Sequence, residues 1–263
     1  MYSGQVAIVS GGLGDIGRAI AFEFARRGAS VAVGDLREPK AASGLLAELE
    51  SHGARVRYDR VDVTDSAAVN AWVSAVEAAL GAPSLVVPNA AVVTLGQALE
   101  FEPAAWAREL RVNLDGAFHL AQAAARRLRD LKRAGRIVFV GSWAGHAPHT
   151  SIPAYCAAKA GLRMLMKCLA AELAPHGILV NEVAPGWVDA GLSGRLFDAN
   201  PGSREAARAR VPVGRLIEAA EVARQVAHLC DPENRHITGS VLLMDGGLSL
   251  VAPASSARGK AEA

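Results

Sequence analysis

Val6-Ala7-Ile8-Val9-Ser10-Gly11-Gly12-Leu13-Gly14-Asp15-Ile16-Gly17 is the stretch on which the fold turns. The apolar run Val6 to Ser10 reads as a short buried strand, and a helical stretch follows from about Ile16 to Arg27. Between them lies a run of glycines. Such a loop lets backbone approach a pyrophosphate, and the helix behind it offers free N–H donors and a partial positive charge. A glycine run alone is equally a tight turn; its place after a first strand and before a helix is what points to a nucleotide.

The same alternation continues outward. Ser30 to Gly34 reads as a strand closed by Asp35, Lys40 to His52 as a helix, and Arg55 to Val61 as a strand. Asp65 to Leu80 carries Val69, Val73, Val76 and Leu80 at helical spacing. Leu85 to Val87 is a strand bounded by Pro88. A long helix is expected from Pro103 to Arg133, a strand at Arg136 to Val140, and a second long helix from Ile152 to Ala174, punctuated by Pro175 and Gly177. Ile178 to Val183 and Val241 to Met244 read as the last strands, separated by a loop-and-helix insert and a helix at Glu218 to Leu229. Buried strands without in/out alternation, each joined by a helix, indicate a parallel sheet covered on both faces. The expectation is an α/β chain with one doubly wound Rossmann-type domain over residues 1–252, a seven-stranded, mostly parallel sheet, and a disordered tail over residues 253–263.

The chain has 263 residues, about right for one large α/β domain, and 51% are hydrophobic, enough for a sizeable core. The net charge of +2 comes from Arg and Lys scattered among Asp and Glu, which argues against nucleic acid as a partner. Cys156, Cys168 and Cys230 are odd in number and lack metal-ligand spacing, and the His residues show no metal pairing, so a reducing cytoplasm and no metal are expected. Residues 1–5 have no basic leader pattern and no apolar run reaches spanning length, so neither a signal peptide nor a membrane anchor is expected.

Two further sites follow from residue chemistry. Asp35, eighteen residues after Gly17, can accept hydrogen bonds from adenosine ribose hydroxyls. A 2′-phosphate there meets a like charge, which costs on the order of 4 kcal/mol per unit charge at about 4 Å and an effective dielectric near 20. NAD is therefore expected over NADP, although Arg37 can swing in to pair a phosphate. Tyr155 and Lys159 stand four apart on a helix and share a face. An ammonium about 5 Å from a phenol favours the phenolate by roughly 3 kcal/mol, about two pKa units, which would make Tyr155 a usable acid/base.

With Ser142 thirteen residues before Tyr155, these residues resemble the short-chain dehydrogenase/reductase family, whose loop fingerprint is Thr-Gly-x-x-x-Gly-x-Gly. Ser10, Gly11 and Gly17 match it, and Asp15 stands where the middle glycine falls, as a possible helix cap whose carboxylate points away from the phosphates. The resemblance implies a catalytic set of Asn113, Ser142, Tyr155 and Lys159. Tyr155 exchanges the hydroxyl proton, Lys159 lowers its pKa and binds the nicotinamide ribose, Ser142 orients the substrate oxygen, and Asn113 maintains a proton relay. It implies a cofactor set of Ser10, Gly11, Asp15, Ile16, Gly17, Asp35, Leu36, Asp62, Val63, Asn89, Ala90, Tyr155, Lys159, Pro185, Gly186 and Val188. Pro88-Asn89-Ala90-Ala91 keeps only part of the family's Asn-Asn-Ala-Gly, and Ala190 replaces its usual Thr.

Trp143, His146, Ala147 and Trp187 are expected to floor the substrate pocket under a lid at about residues 190–211. The lid arginines Arg195, Arg204, Arg208 and Arg210 read as a solvated face or as a welcome for an anion. Ala-rich helices around Ala121 and Ala157 suggest a homo-oligomer, dimer or tetramer, as is common in the family. Three readings stand: an NAD-dependent alcohol, polyol or sugar dehydrogenase; an NADPH-dependent 3-oxoacyl-carrier-protein reductase; and a non-catalytic nucleotide-binding protein. The last is expected to have lost Ser142, Tyr155 or Lys159, and all three are present.

Overall fold

The computed structural model describes residues 2–251. The expected tail over residues 253–263 lies outside them. Seven strands form one sheet in the order β3-β2-β1-β4-β5-β6-β7. They are β1 (Val6–Ser10), β2 (Ser30–Asp35), β3 (Val56–Arg60), β4 (Leu85–Val87), β5 (Gly135–Val140), β6 (Ile178–Pro185) and β7 (Val241–Met244). Every strand pairing is parallel.

Strand period decides which residue meets which helix layer. Ala7, Val9, Val31 and Val33 face one core, with α1 (Asp15–Arg26), α2 (Ser43–Ser51) and α9 (Ala219–Cys230). Its large members are Ile20, Phe24, Leu45, Leu49, Val222 and Val226. Val6, Ile8 and Ala32 face the other, packed by α3 (Ser66–Leu80), α5 (Gly116–Asp130) and α6 (Pro153–Leu173). Asp65 caps α3 by accepting from Ala67 and Ala68 N–H at 2.9 and 3.1 Å.

The helix expected from Pro103 to Arg133 is not uniform. It consists of α4 (Pro103–Leu110), a π turn at Arg111–Asp115 and α5. Asn113 sits in the π turn and is 1% exposed. Its amide donates to the Val92 carbonyl at 2.8 Å and its Oδ1 accepts from the Val92 N–H at 3.0 Å. A side chain that pairs so with a neighbouring backbone supplies a local reason for the widened turn, and π turns gather at functional sites. The loop-and-helix insert carries two helices, α7 (Gly191–Ala199) and α8 (Ser203–Arg210).

The chain crosses from β1 to β2 on one side and to β4 on the other, so a crevice opens at the carboxyl ends of β1 and β4. Loop closeness there is extreme. A Cβ on Gly17 falls 2.3 Å from the Gly11 carbonyl oxygen and 2.7 Å from Gly12 Cα, whereas one on Gly44 in α2 meets nothing within 4 Å. Gly17→Ala is therefore expected to weaken NAD(H) binding by about tenfold or more through a displaced loop, as read by fluorescence titration. Gly44→Ala is expected to raise stability by about 0.5 kcal/mol in urea denaturation.

Candidate active site

Two adjoining hollows, of about 780 and 630 Å³, run along the carboxyl edge of the sheet and share Gly11, Asp35, Ala90, Ala91 and Val92. Both sizes suit an organic ligand. The smaller one is lined by Leu36, Asp62, Val63 and Ala90, as expected of an adenosine end. The larger holds Gly11, Asp15, Ile16, Gly17, Asn89, Ser142, Tyr155, Lys159, Pro185, Gly186 and Val188. The first-turn residues Asp15, Ile16 and Gly17 of α1 line the larger hollow, and the first turn of a helix carries N–H groups without intrahelical partners. Asp35 accepts from the Leu13 N–H at 3.1 Å and from Arg37 Nε at 3.2 Å, so Arg37 pairs the carboxylate rather than standing free. Asp62 closes a local turn by accepting from the Thr64 N–H and hydroxyl, both at 2.8 Å. Donor set, carboxylate and paired hollows together fit a dinucleotide.

Several expected residues stand elsewhere. Ser10 is buried and lines neither hollow; its hydroxyl accepts from the Asn89 and Ala90 N–H groups at 3.0 and 3.2 Å. It holds the β1 and β4 loops together instead of touching the cleft. Asn89 completes this link by donating to the Ser10 and Gly11 carbonyls at 3.0 and 3.1 Å. Asn113 also lines neither hollow, its side chain being taken up by Val92. His146 is exposed and Ala147 lines no hollow; the histidine in the cleft is His149. The short 3₁₀ turn Trp143–Gly145 turns the chain back, so the residue seven past Ser142 arrives where the one four past it was expected. Trp143 and Trp187 do line the cleft and meet edge to face at 5.5 Å.

Asp15 does not cap its own helix. The N-cap of α1 is Gly14, and Asp15 Oδ2 accepts from the Gly191 N–H at 2.7 Å, across the cleft. Ala190, the N-cap of α7, offers no side-chain bond. The two departures from the family pattern thus meet each other: the carboxylate gained in the glycine loop satisfies a first-turn donor of the helix that lacks a capping Thr.

Tyr155 and Lys159 share one face of α6, with Lys159 Nζ 5.4 Å from the Tyr155 ring centroid. Lys159 is 2% exposed and donates to the Val140 carbonyl at 2.8 Å. Burial lowers its pKa to about 8, opposed by the nearby Glu182. Burial likewise pushes the Tyr155 phenol up to about 12, and the hydrogen bond with Ser142 opposes it. The expected fall in the phenol's pKa is therefore not what the protein's own groups produce, since desolvation outweighs the Ser142 hydrogen bond. Ser142 Oγ also accepts from the Ala144 N–H at 3.1 Å, which fixes its rotamer.

Beneath these residues lies an ion pair that sequence reading passed over. Glu182, fully buried on β6, meets Arg163 in a bidentate pair at 2.9 and 3.0 Å. Arg163 further donates to the carbonyls of Gly145 and Ser142 at 3.1 and 3.3 Å. The signal was in the chain: Arg163 continues the Tyr155–Lys159 stripe by one more turn, and Glu182 interrupts an apolar strand.

The family model described as enoyl-(acyl carrier protein) reductase matches residues 12–249. The chain belongs to the short-chain dehydrogenase/reductase family and is an NAD(P)-dependent oxidoreductase acting on CH–OH groups. It is 34% identical to the 3-oxoacyl-[acyl-carrier-protein] reductase of Escherichia coli K12 over 95% of this chain and 99% of that one. Among solved structures, a gluconate 5-dehydrogenase from Burkholderia cenocepacia in complex with NADP and tartrate matches with TM-score 0.89 and 30% identity, over 95% and 97% of the two chains. An NAD+-bound xylitol dehydrogenase matches with TM-score 0.88 and 28% identity, over 94% and 99%.

Removing one side of a buried ion pair leaves an uncompensated charge. Arg163→Met is expected to cost about 3–5 kcal/mol of unfolding free energy, and Arg163→Met with Glu182→Leu to recover most of it. Urea denaturation of the three proteins checks this; an equal loss in single and double variants contradicts it.

Proposed function

We propose that this protein interconverts a small secondary alcohol, of the polyol or sugar class, and its ketone, with NAD preferred and Tyr155 as the proton-transfer group. The observation that carries this is the convergence of Ser142, Tyr155 and Lys159 on one wall of a cleft whose other end carries Asp35. When bound, the nicotinamide supplies or takes the hydride at its C4. In the reducing direction Tyr155 gives its phenolic proton to the carbonyl oxygen as the carbinol forms; in the oxidising direction a phenolate takes it back. Ser142 holds that oxygen beside the phenol. Lys159 stabilises the phenolate and meets the ribose hydroxyls. Asn113 acts through Val92, holding the β4 loop and the π turn in register along the proton path. Asn89, Pro185, Gly186 and Val188 shape the nicotinamide end, and Leu36, Asp62 and Val63 the adenine end.

Asp35 supports NAD over NADP, because a second anion at that position is opposed by its charge and Arg37 is already paired to it. A second reading is favoured by the carrier-protein reductase relatives: an NADPH-dependent 3-oxoacyl reductase on the same site. Of the solved neighbours, one carries NAD+ and two carry NADP, so the preference for NAD rests on this chain's own residues. We also propose a homo-oligomer built on α5 and α6. Ala157, Ala160 and Met164 leave an exposed, small and apolar strip on α6 that a second copy fits. Among the described residues no helix is long and apolar enough to cross a membrane.

Titration with NADH and NADPH is expected to show tighter NADH binding, and Asp35→Ser to shift the ratio by about tenfold or more towards NADPH. Tyr155→Phe is expected to lower kcat by about 10²–10⁴-fold while leaving cofactor affinity within a few-fold, since it removes the proton donor alone. Full turnover by that variant sinks the mechanism. Ketone reduction should also decline as pH rises above about 8, where Lys159 loses its charge, because the phenol remains protonated to about 12. A flat kcat/KM profile from pH 7 to 10 contradicts that assignment.

A further inference from the structure

The lid carries four arginines, and the structure divides them. Arg204 donates to Asp189 and Asp198, both at 2.8 Å, and Arg208 approaches Asp189 at 3.7 Å. Those two are spent on holding the lid together. Arg195 and Arg210 both line the larger hollow, and neither forms an ion pair among the described residues.

Arg210 does not stand alone. Its guanidinium lies 5.0 Å from the Trp187 ring centroid. Trp187 meets Trp143 edge to face at 5.5 Å, and Trp143 meets His149 at 4.2 Å. Guanidinium, two indoles and an imidazole form one continuous wall beside Ser142 and Tyr155. An arginine stacked on an aromatic face keeps its donors free for a planar anion, because the stack uses its flat surface and leaves the fork edge open. His149 adds a second mark: its Nε2 is buried with no hydrogen-bond partner among the described residues. Burial, aided by the Arg210 charge, lowers the pKa of that imidazole, so it is present as a neutral ring. A buried ring nitrogen without a partner at the wall of a binding cleft is a place for a polar group of the ligand.

We propose that the substrate end of the cleft recognises a carboxylate, with Arg210 as its main partner, Arg195 as a second cation and His149 Nε2 bonding a neighbouring substrate oxygen. The substrate class is then the hydroxy acids and their oxo acids, sugar acids included. This rests on the reading of Ser142, Tyr155 and Lys159 as the reacting centre. It narrows the substrate from any polyol or ketone to one with an anionic end set apart from the reacting carbon. The Trp143–Trp187 wall accounts for the distance between the two, since it spans from Trp143, next to Ser142 in the chain, to Arg210 at the lid.

Binding is measured on the full-length protein with NAD present, by quenching of intrinsic tryptophan fluorescence. The probes are matched pairs that differ in one carboxylate: threonate and threitol, gluconate and sorbitol, 3-hydroxybutyrate and 1,3-butanediol. The expected result is that at least one acid binds about tenfold or more tightly than its neutral partner, and that Arg210→Gln removes most of that advantage. Arg195→Gln is expected to remove less, about threefold, and Arg210→Lys to restore part of the loss, as a point charge without the fork does. In turnover the same acid should lose through KM, with kcat held. The proposal is overturned if no acid outcompetes its neutral partner, or if the advantage survives the Arg195→Gln, Arg210→Gln double variant. It is also overturned if phosphate esters such as glycerol 3-phosphate bind more tightly than every carboxylate. Failure of the catalytic reading is separate: Tyr155→Phe then turns over neutral alcohols at full rate, whatever the anions do.

Discussion

Lys159 is a charge held out of water, and much of the site is arranged around that fact. An ammonium so placed costs free energy unless it is hydrogen-bonded and set among compensating charges. Here the Val140 carbonyl at the end of β5 accepts a hydrogen bond from it, and the Glu182 carboxylate behind it favours the charged form. Glu182 cannot itself be buried unpaired, and Arg163 meets it with both prongs of its fork. Arg163 then has donors to spare, which reach the carbonyls of Ser142 and Gly145. One buried cation thus draws in a carboxylate, a second cation and the backbone of the serine turn. Ser142 and Lys159, which line the cleft, are thus positioned by Arg163 and Glu182, which do not.

The same logic of satisfied groups explains how a degraded family pattern still builds a cleft. Ser10 and Asn89 lace the β1 and β4 loops together through four hydrogen bonds, so the loops stay in contact although Pro88 and Ala91 depart from the usual residues there. Asp15, an acidic residue where a nucleotide's phosphates are expected nearby, is turned across the cleft to the start of α7. Its charge sits at a helix N-terminus, where a negative charge is favoured. That bond also ties the start of α7 to the glycine loop, so the two sides of the cleft share a contact. Asp189, with Arg204 and Arg208, holds the other end of the lid.

The alternation of apolar runs and helical stretches was legible throughout, because strands covered on both faces need unbroken apolar residues and their crossovers need amphipathic helices. Ser142, Tyr155 and Lys159 were legible for a different reason: two lie one turn apart on a single helix, and the third is a fixed short distance upstream. The π turn at Arg111–Asp115 was not legible, since the bond that accompanies it is to Val92, some twenty residues away. His149 was mistaken for His146 because the register of a turn cannot be counted from a helix period. Lys159 was expected to make Tyr155 acidic from charge and spacing alone; the depth of burial, which opposes it, belongs to the packed chain.

What the amino-acid order determined by itself is whatever is local or periodic: the strands and their two faces, the glycine loop, the carboxylate at the end of β2, and the Tyr155–Lys159–Arg163 stripe. What only the tertiary structure decided is which distant groups meet. The partners of Asp15, Glu182, Asn113 and Arg210 lie across the fold, and desolvation depends on every neighbour at once. Hydrogen bonds and ion pairs act over a few ångströms in space, with no regard for separation along the chain, so a local pattern reveals the donors and acceptors while packing alone assigns their partners.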